Sequence, residues 1–182
     1  MTQRTLSKLD AVRAQLDAAI EIWFTSDNPV AVHTLTAAAY NILRDIALKN
    51  GSERPFIKTA FVDEYPEAKR KAIRDFLNNH ENFFKHADRD PDSSITLNPE
   101  LTELLLMDAL AYFRDKNEPK PQYYDAFKAW HGVPREGLSD GETIVTEAIR
   151  ELLKSKGKQD FWAFIKSHLT TGSRRTPQSG AA

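Results

Sequence analysis

The chain has 182 residues, 41% of them hydrophobic, with 25 basic and 26 acidic side chains and no cysteine. A length and apolar content of this order suit one well-buried core rather than two independent domains. The net charge of -1 excludes a global basic field that gathers nucleic acid regardless of sequence, and the lack of cysteine excludes disulfides, thiolate catalysis and cysteine-based zinc sites. The opening MTQRTLSKLD has no apolar leader core, and no apolar run approaches the roughly 18 residues of a membrane span. A cytoplasmic protein with no membrane partner is expected.

From Leu6 to Phe24, the apolar residues Leu9, Val12, Leu16, Ala19, Ile20 and Trp23 recur at spacings of three and four, which predicts a first amphipathic helix. Asp27-Asn28-Pro29 supplies a cap and a first-turn proline for a second helix with Ala31, Leu35, Ala38, Ala39, Ile42 and Ile46 as its buried face. Asn50-Gly51 ends it. Residues 52–64 have no clear period, and FIKTAFV within them is expected to form a short helix or strand covering the core. Pro66 suits the start of a third helix with Ala72, Phe76, His80, Phe83 and Ala87 on its apolar side.

Asp88 to Asn98 reads as a polar connection, and Asn98-Pro99-Glu100 opens a fourth helix through Leu101, Leu104, Leu105, Ala109 and Tyr112. LTELLLMDALAYF is apolar on nearly every side and is expected to be central. YYDAFKAW predicts a short aromatic helix after the Asn117–Pro121 breaker. Ser139 and Glu142 form a capping-box pattern before a helix to about Lys156, which Gly157 ends. FWAFIKSHL is a last amphipathic piece, and the tail 171–182 is expected to be disordered. The expected fold is all-α: an up-and-down helical bundle of about four core helices over 6–116, with additional C-terminal helices over 120–170, as one domain 1–170.

Polar chemistry is concentrated in LNNHENFFKHADRDPDSS, residues 77–94. Asp75, Asn79, Asn82 and His86 differ by four, three and four positions and line one face of the third helix for about 16 Å. Such a row is the ordinary dress of a solvent-facing helix. Its functional alternative is a groove or a symmetry mate, with Asn82 orienting a substrate and His86 exchanging a proton, since imidazole alone titrates near neutrality. Asp75, Asn79, Lys85 and Asp108 are the candidate ligand-binding residues. Asp108 stands inside an apolar helix, where an unpaired charge is costly, so it should have a partner: His86, His80, Arg44, a backbone cap, or simply water at the helix edge. On the second helix, His33, Ala37, Tyr40, Asn41 and Arg44 share the face opposite the apolar stripe.

Asp88, Asp90, Asp92 and Ser94 stand at positions one, three, five and seven of a calcium-loop pattern. The turn glycine is replaced by Ser93 and the bidentate glutamate by Pro99, which removes the sharp bend and the strongest ligand. A solvated interhelical loop is the alternative. No cofactor is implied.

The string Glu81-Asn82-Phe83-Phe84-Lys85-His86 resembles the HEPN superfamily, helical-bundle proteins of bacterial toxins, defence systems and RNA-processing factors. In that family an Arg, usually followed by a polar residue, precedes a His by four to six intervening residues near the end of a core helix, and a further long helix follows. Asn82 matches the polar position and His86 the His, and AVHTLTAAAYNIL in the second helix is similar in texture to a HEPN core helix. NFFKHADRDP also resembles a string of uncharacterised bacterial proteins. The resemblance covers residues 6–116 and implies a dimer whose Arg and His form a composite ribonuclease site. Here Glu81 stands in the place of that Arg, and the other spacings offer His80 and Asn79.

Three expectations follow. One is a HEPN-like protein, dimeric through its third and fourth helices, that binds RNA, nucleotide or a protein partner with lost or altered ribonuclease activity. Another is a non-catalytic helical interaction protein or homodimer whose stripe fixes its register. The last is a metal-binding bundle using His80, His86 and the Asp loop, which lacks the paired Glu-x-x-His repeats of known helical metal sites.

Overall fold

The first helix starts where the sequence offers a reciprocal cap. In the computed structural model, which describes residues 3–86, 91–115, 118–133 and 140–172, Ser7 Oγ accepts from the Asp10 amide at 3.1 Å and the Asp10 carboxylate accepts from the Ser7 amide at 2.9 Å. This pairing serves two donors that a helix start leaves without intrahelical partners, and it opens α1 (Lys8–Thr25). Bonds from the Ser7 hydroxyl, the Ser7 amide and Arg13 hold the Asp10 carboxyl down at about 2.

Asn28 Oδ1 accepts from the Ala31 amide at 3.1 Å, and α2 (Pro29–Lys49) follows. Gly51, at φ 65, turns the chain out of it in the left-handed conformation that glycine adopts at little cost. The unperiodic stretch forms a π-helical turn, Ile57–Phe61. Then come α3 (Glu67–Lys85), α4 (Pro99–Asp115), α5 (Tyr124–Trp130), α6 (Asp140–Lys156) and α7 (Lys158–Gly172). The described residues contain helices and turns and no strand, so the protein is an all-α helical bundle. None of these helices is long and apolar enough to cross a membrane.

Two compact units divide the chain, Met1–Tyr124 and Asp125–Ala182. In the first, α2 is the central helix, packed most extensively on α1, next on α4 and least on α3. Val12, Leu16, Ala19 and Ile20 of α1, Ala37, Ala39, Tyr40 and Leu43 of α2, and Leu105, Leu106, Ala109 and Phe113 of α4 are fully buried. In the second unit α6 packs on α7, Trp130 meets Phe161 edge-on at 5.2 Å, and Gly157 at φ 102 reverses the chain between the helices.

Two helices differ in rotation from the sequence expectation. On α2 the buried residues are Val32, His33, Thr36, Ala37, Ala39, Tyr40, Leu43 and Ala47, whereas Ala31, Leu35, Ala38, Ile42 and Ile46 are only partly covered. Apolar residues circle this helix, so periodicity alone does not choose a face; hydrogen bonds of His33 Nδ1 with Thr102 and of the Lys58 amide with Tyr40 accompany the inward turn of the mixed face. On α3, Phe76 is 63% exposed and Ala72 is exposed, while Leu77, His80 and Glu81 are buried. A buried Glu81 is possible because cations meet it there. Ala87 and the capping-box Ser139 lie outside the described residues, as does the tail from residue 173.

Candidate functional site

α3 separates two kinds of chemistry. At 100° per residue, Asp75, Asn79, Asn82 and His86 centre on the side of the helix diametrically opposite Leu77, His80 and Glu81. All four are exposed. The row therefore faces outward from the bundle, not into a groove of its own unit. His86 is the residue that ends the helix, its amide bonded to the Asn82 carbonyl at 3.0 Å. Asp75 accepts from Lys71 Nζ at 2.6 Å in an exposed i,i+4 pair, an arrangement worth a few tenths of a kcal/mol (about 0.3–0.5). Lys69, Lys71 and Arg74 are also exposed on this helix, Lys71 beside the row and paired with Asp75, Lys69 and Arg74 on its two flanks.

The inner side holds a charged cluster that the sequence did not announce. Lys58, from the π-helical turn, has a side chain only 2% exposed and reaches Glu81 Oε2 and Asn78 Oδ1, each at 3.0 Å. Glu81 Oε1 accepts from Asn41 Nδ2 and from Lys85 Nζ, each at 2.6 Å. Burial by itself raises the Glu81 carboxyl, but the hydrogen bonds and charges of Lys85 and Lys58 outweigh it and the net shift is downward. Burial also dominates at Lys58 and lowers its pKa despite the pull of Glu81. The difference lies in stoichiometry: Glu81 has two cations, whereas Lys58 has one carboxylate, so Lys58 is the less compensated member.

Beside this cluster, Tyr40 Oη accepts from the Lys58 amide at 3.0 Å, and burial pushes its hydroxyl pKa up. Asp108 finds its partner in the 52–64 segment: Arg54 Nη2 donates to its carboxylate at 2.6 Å, and the Ile57 amide donates at 2.9 Å. Arg54 and Asp108 are both nearly buried. The candidates His86, His80 and Arg44 are not what holds Asp108; Arg44 instead bonds its neighbour Asp45. Asp108 thus anchors the π-helical turn to α4 and presents that turn's Lys58 to α3. A charged residue in the middle of FIKTAFV was the available signal for Lys58, but without a period the segment gave no face on which to place it.

His33 and His80, 5.4 Å apart between ring centres, are buried together where α2 meets α3. His33 Nδ1 meets Thr102 Oγ1 at 2.8 Å, and His80 Nε2 donates to the Thr96 carbonyl at 3.0 Å. His80 and His86 are therefore not on one side of α3. Of the calcium-loop residues, Asp88 and Asp90 lie outside the described residues, and Asp92 and Ser94 are exposed. Among the described residues no group of three or more His, Asp or Glu side chains is arranged to hold a metal ion.

The arrangement brings Glu81, Lys85, Asn41, Asn78 and Lys58 into one buried cluster, and it leaves Asp75, Asn79, Asn82 and His86 on the outer side of α3. No protein-family model, curated protein or solved structure matches the chain.

Proposed function

We propose that the protein is a HEPN-like helical binding protein that engages RNA through the outer side of α3 and does not cleave it. The observation that carries the second half is the state of Glu81. At the position where the resemblance calls for a phosphate-stabilising arginine, the side chain is a carboxylate, 10% exposed and already claimed by Lys58, Lys85 and Asn41. Such a group neither stabilises a phosphorane-like charge nor turns outward cheaply, because leaving the cluster strands Lys58.

Binding is supported by what α3 exposes. Lys69, Lys71 and Arg74 supply cations for phosphate, Asn79, Asn82 and His86 supply hydrogen-bonding groups, and Phe76 offers a ring for a base. Single-stranded nucleic acid is held by this combination of charge and stacking. Short RNA incubated with the protein is expected to remain intact, at wild-type His86 and in His86→Ala alike, while fluorescence anisotropy reports binding that Lys71→Glu with Arg74→Glu weakens at least roughly tenfold. Cleavage that disappears in His86→Ala contradicts the reading.

The exposure of Phe76 and of Phe61, 63% and 43%, favours a second reading, self-association through exposed apolar rings. In that case the solution mass is dimeric and falls to monomer when Asn79→Lys and Asn82→Lys are combined, with no change in RNA affinity beyond that of added charge.

A further inference from the structure

We infer that His33 and His80 form an acid-operated latch, holding α3 on α2 while His33 is neutral and releasing it when His33 takes up a second proton. This inference is independent of what α3 binds. A carbonyl oxygen only accepts, so the bond to Thr96 O assigns the proton of His80 to Nε2 and leaves Nδ1 with a lone pair. That Nδ1 is buried with no hydrogen-bond partner, and so is His33 Nε2. A doubly protonated His33 donates from both ring nitrogens, and only Nδ1 has a partner, Thr102 Oγ1, so its charged form holds a buried N–H with no acceptor, a costly state.

The surroundings add to the penalty. α4 presents Thr102 to His33, α3 presents Phe84 at 5.7 Å as well as His80, and the charged groups acting on the ring are Lys58, Glu81 and Lys85. The one carboxylate is already shared between two ammonium groups. Burial first, then His80 and Lys58, push the His33 imidazole down to about 4. The latch also ties distant chain segments, since His80 holds Thr96 in the connection to α4 while His33 holds Thr102 in its first turns. Opening it detaches α3 and residues 93–98 together. The α1 cap is unaffected at moderate acidity, because Asp10 stays ionised down to about 2.

The sign follows from linkage. An open state with an ordinary histidine binds more protons than the closed state between about pH 4 and 6.5, so closure weakens as pH falls through that window. Hydrogen-exchange protection factors, corrected for intrinsic rates, measure this at pH 7 and 4.5. For His33 alone, protection of Leu77, Glu81 and Phe84 relative to Leu16 and Ile20 is expected to fall roughly 60-fold. The double variant His33→Asn with His80→Gln retains hydrogen-bonding atoms facing Thr102 and Thr96 without titrating, and its ratio is expected to stay nearly constant. An unchanged ratio in wild type, or an equal fall in the double variant, overturns the latch. Should that variant not fold, nuclear magnetic resonance titration of the wild-type rings decides instead. A His33 ring that takes up its proton together with the loss of α3 protection supports the latch, and one that titrates near 6.5 with α3 still protected overturns it.

Discussion

Replacing Glu81 by Leu removes the carboxylate that Lys58, Lys85 and Asn41 all address, and the three groups are not left in equal difficulty. Lys85 is 43% exposed and returns to water, whereas Lys58, at 2%, keeps the Asn78 carbonyl and the Tyr40 ring and no carboxylate. Breaking a buried pair from this side costs about 3–5 kcal/mol. Lys58→Met, taken alone, leaves Glu81 with Lys85 and Asn41, so its cost is that of lost charged hydrogen bonds, roughly 1–3 kcal/mol. With both replaced, no buried ion is stranded, and the double variant is expected to be more stable than Glu81→Leu by about 1–3 kcal/mol. Urea unfolding followed by the fluorescence of the three tryptophans reads these as shifts of midpoint at constant slope. Total stabilities of about 5–15 kcal/mol leave room to measure them. The reasoning is refuted if Lys58→Met costs as much as Glu81→Leu, or if the two losses simply add.

Tyr40→Phe removes the acceptor of the Lys58 amide inside the core, for an expected loss of roughly 1–3 kcal/mol by the same assay. Asp108→Ala takes the carboxylate from Arg54 and from the Ile57 amide, leaving Arg54 the backbone carbonyl of residue 108, at about 3–5 kcal/mol, and limited proteolysis should then cut the 52–64 segment first. Wild-type stability should drop by about 3 kcal/mol between pH 7 and pH 4, because His33 is neutral in the folded state down to about 4 and ordinary when unfolded. His33→Asn should flatten that part of the profile.

Helix existence was legible where a start carries its own local chemistry: Asn28-Pro29 and Asn98-Pro99-Glu100 mark their helices without reference to anything distant. Rotation about the axis was not. α2 has apolar residues around its circumference, and its inward face was decided by tertiary partners, Thr102 for His33 and the Lys58 amide for Tyr40. α3 was misread for a related reason. Phe76 has the spacing of a core residue yet is exposed, and Glu81 is buried because Lys58, distant in sequence, pairs with it, an ion pair that periodicity does not contain. The row Asp75, Asn79, Asn82 and His86 was legible as a row, since spacing fixes a shared face. Which way that face looks depended on what filled the opposite one.

Titrating isotopically labelled protein with a short single-stranded RNA and following backbone amide shifts tests the account most directly. Shifts confined to the outer positions of α3, Lys69 to His86, with the buried Lys58 and Leu77 unmoved and the RNA recovered whole, are the predicted result. Saturable shifts centred on another surface, no shifts at all, or RNA recovered in fragments contradict it.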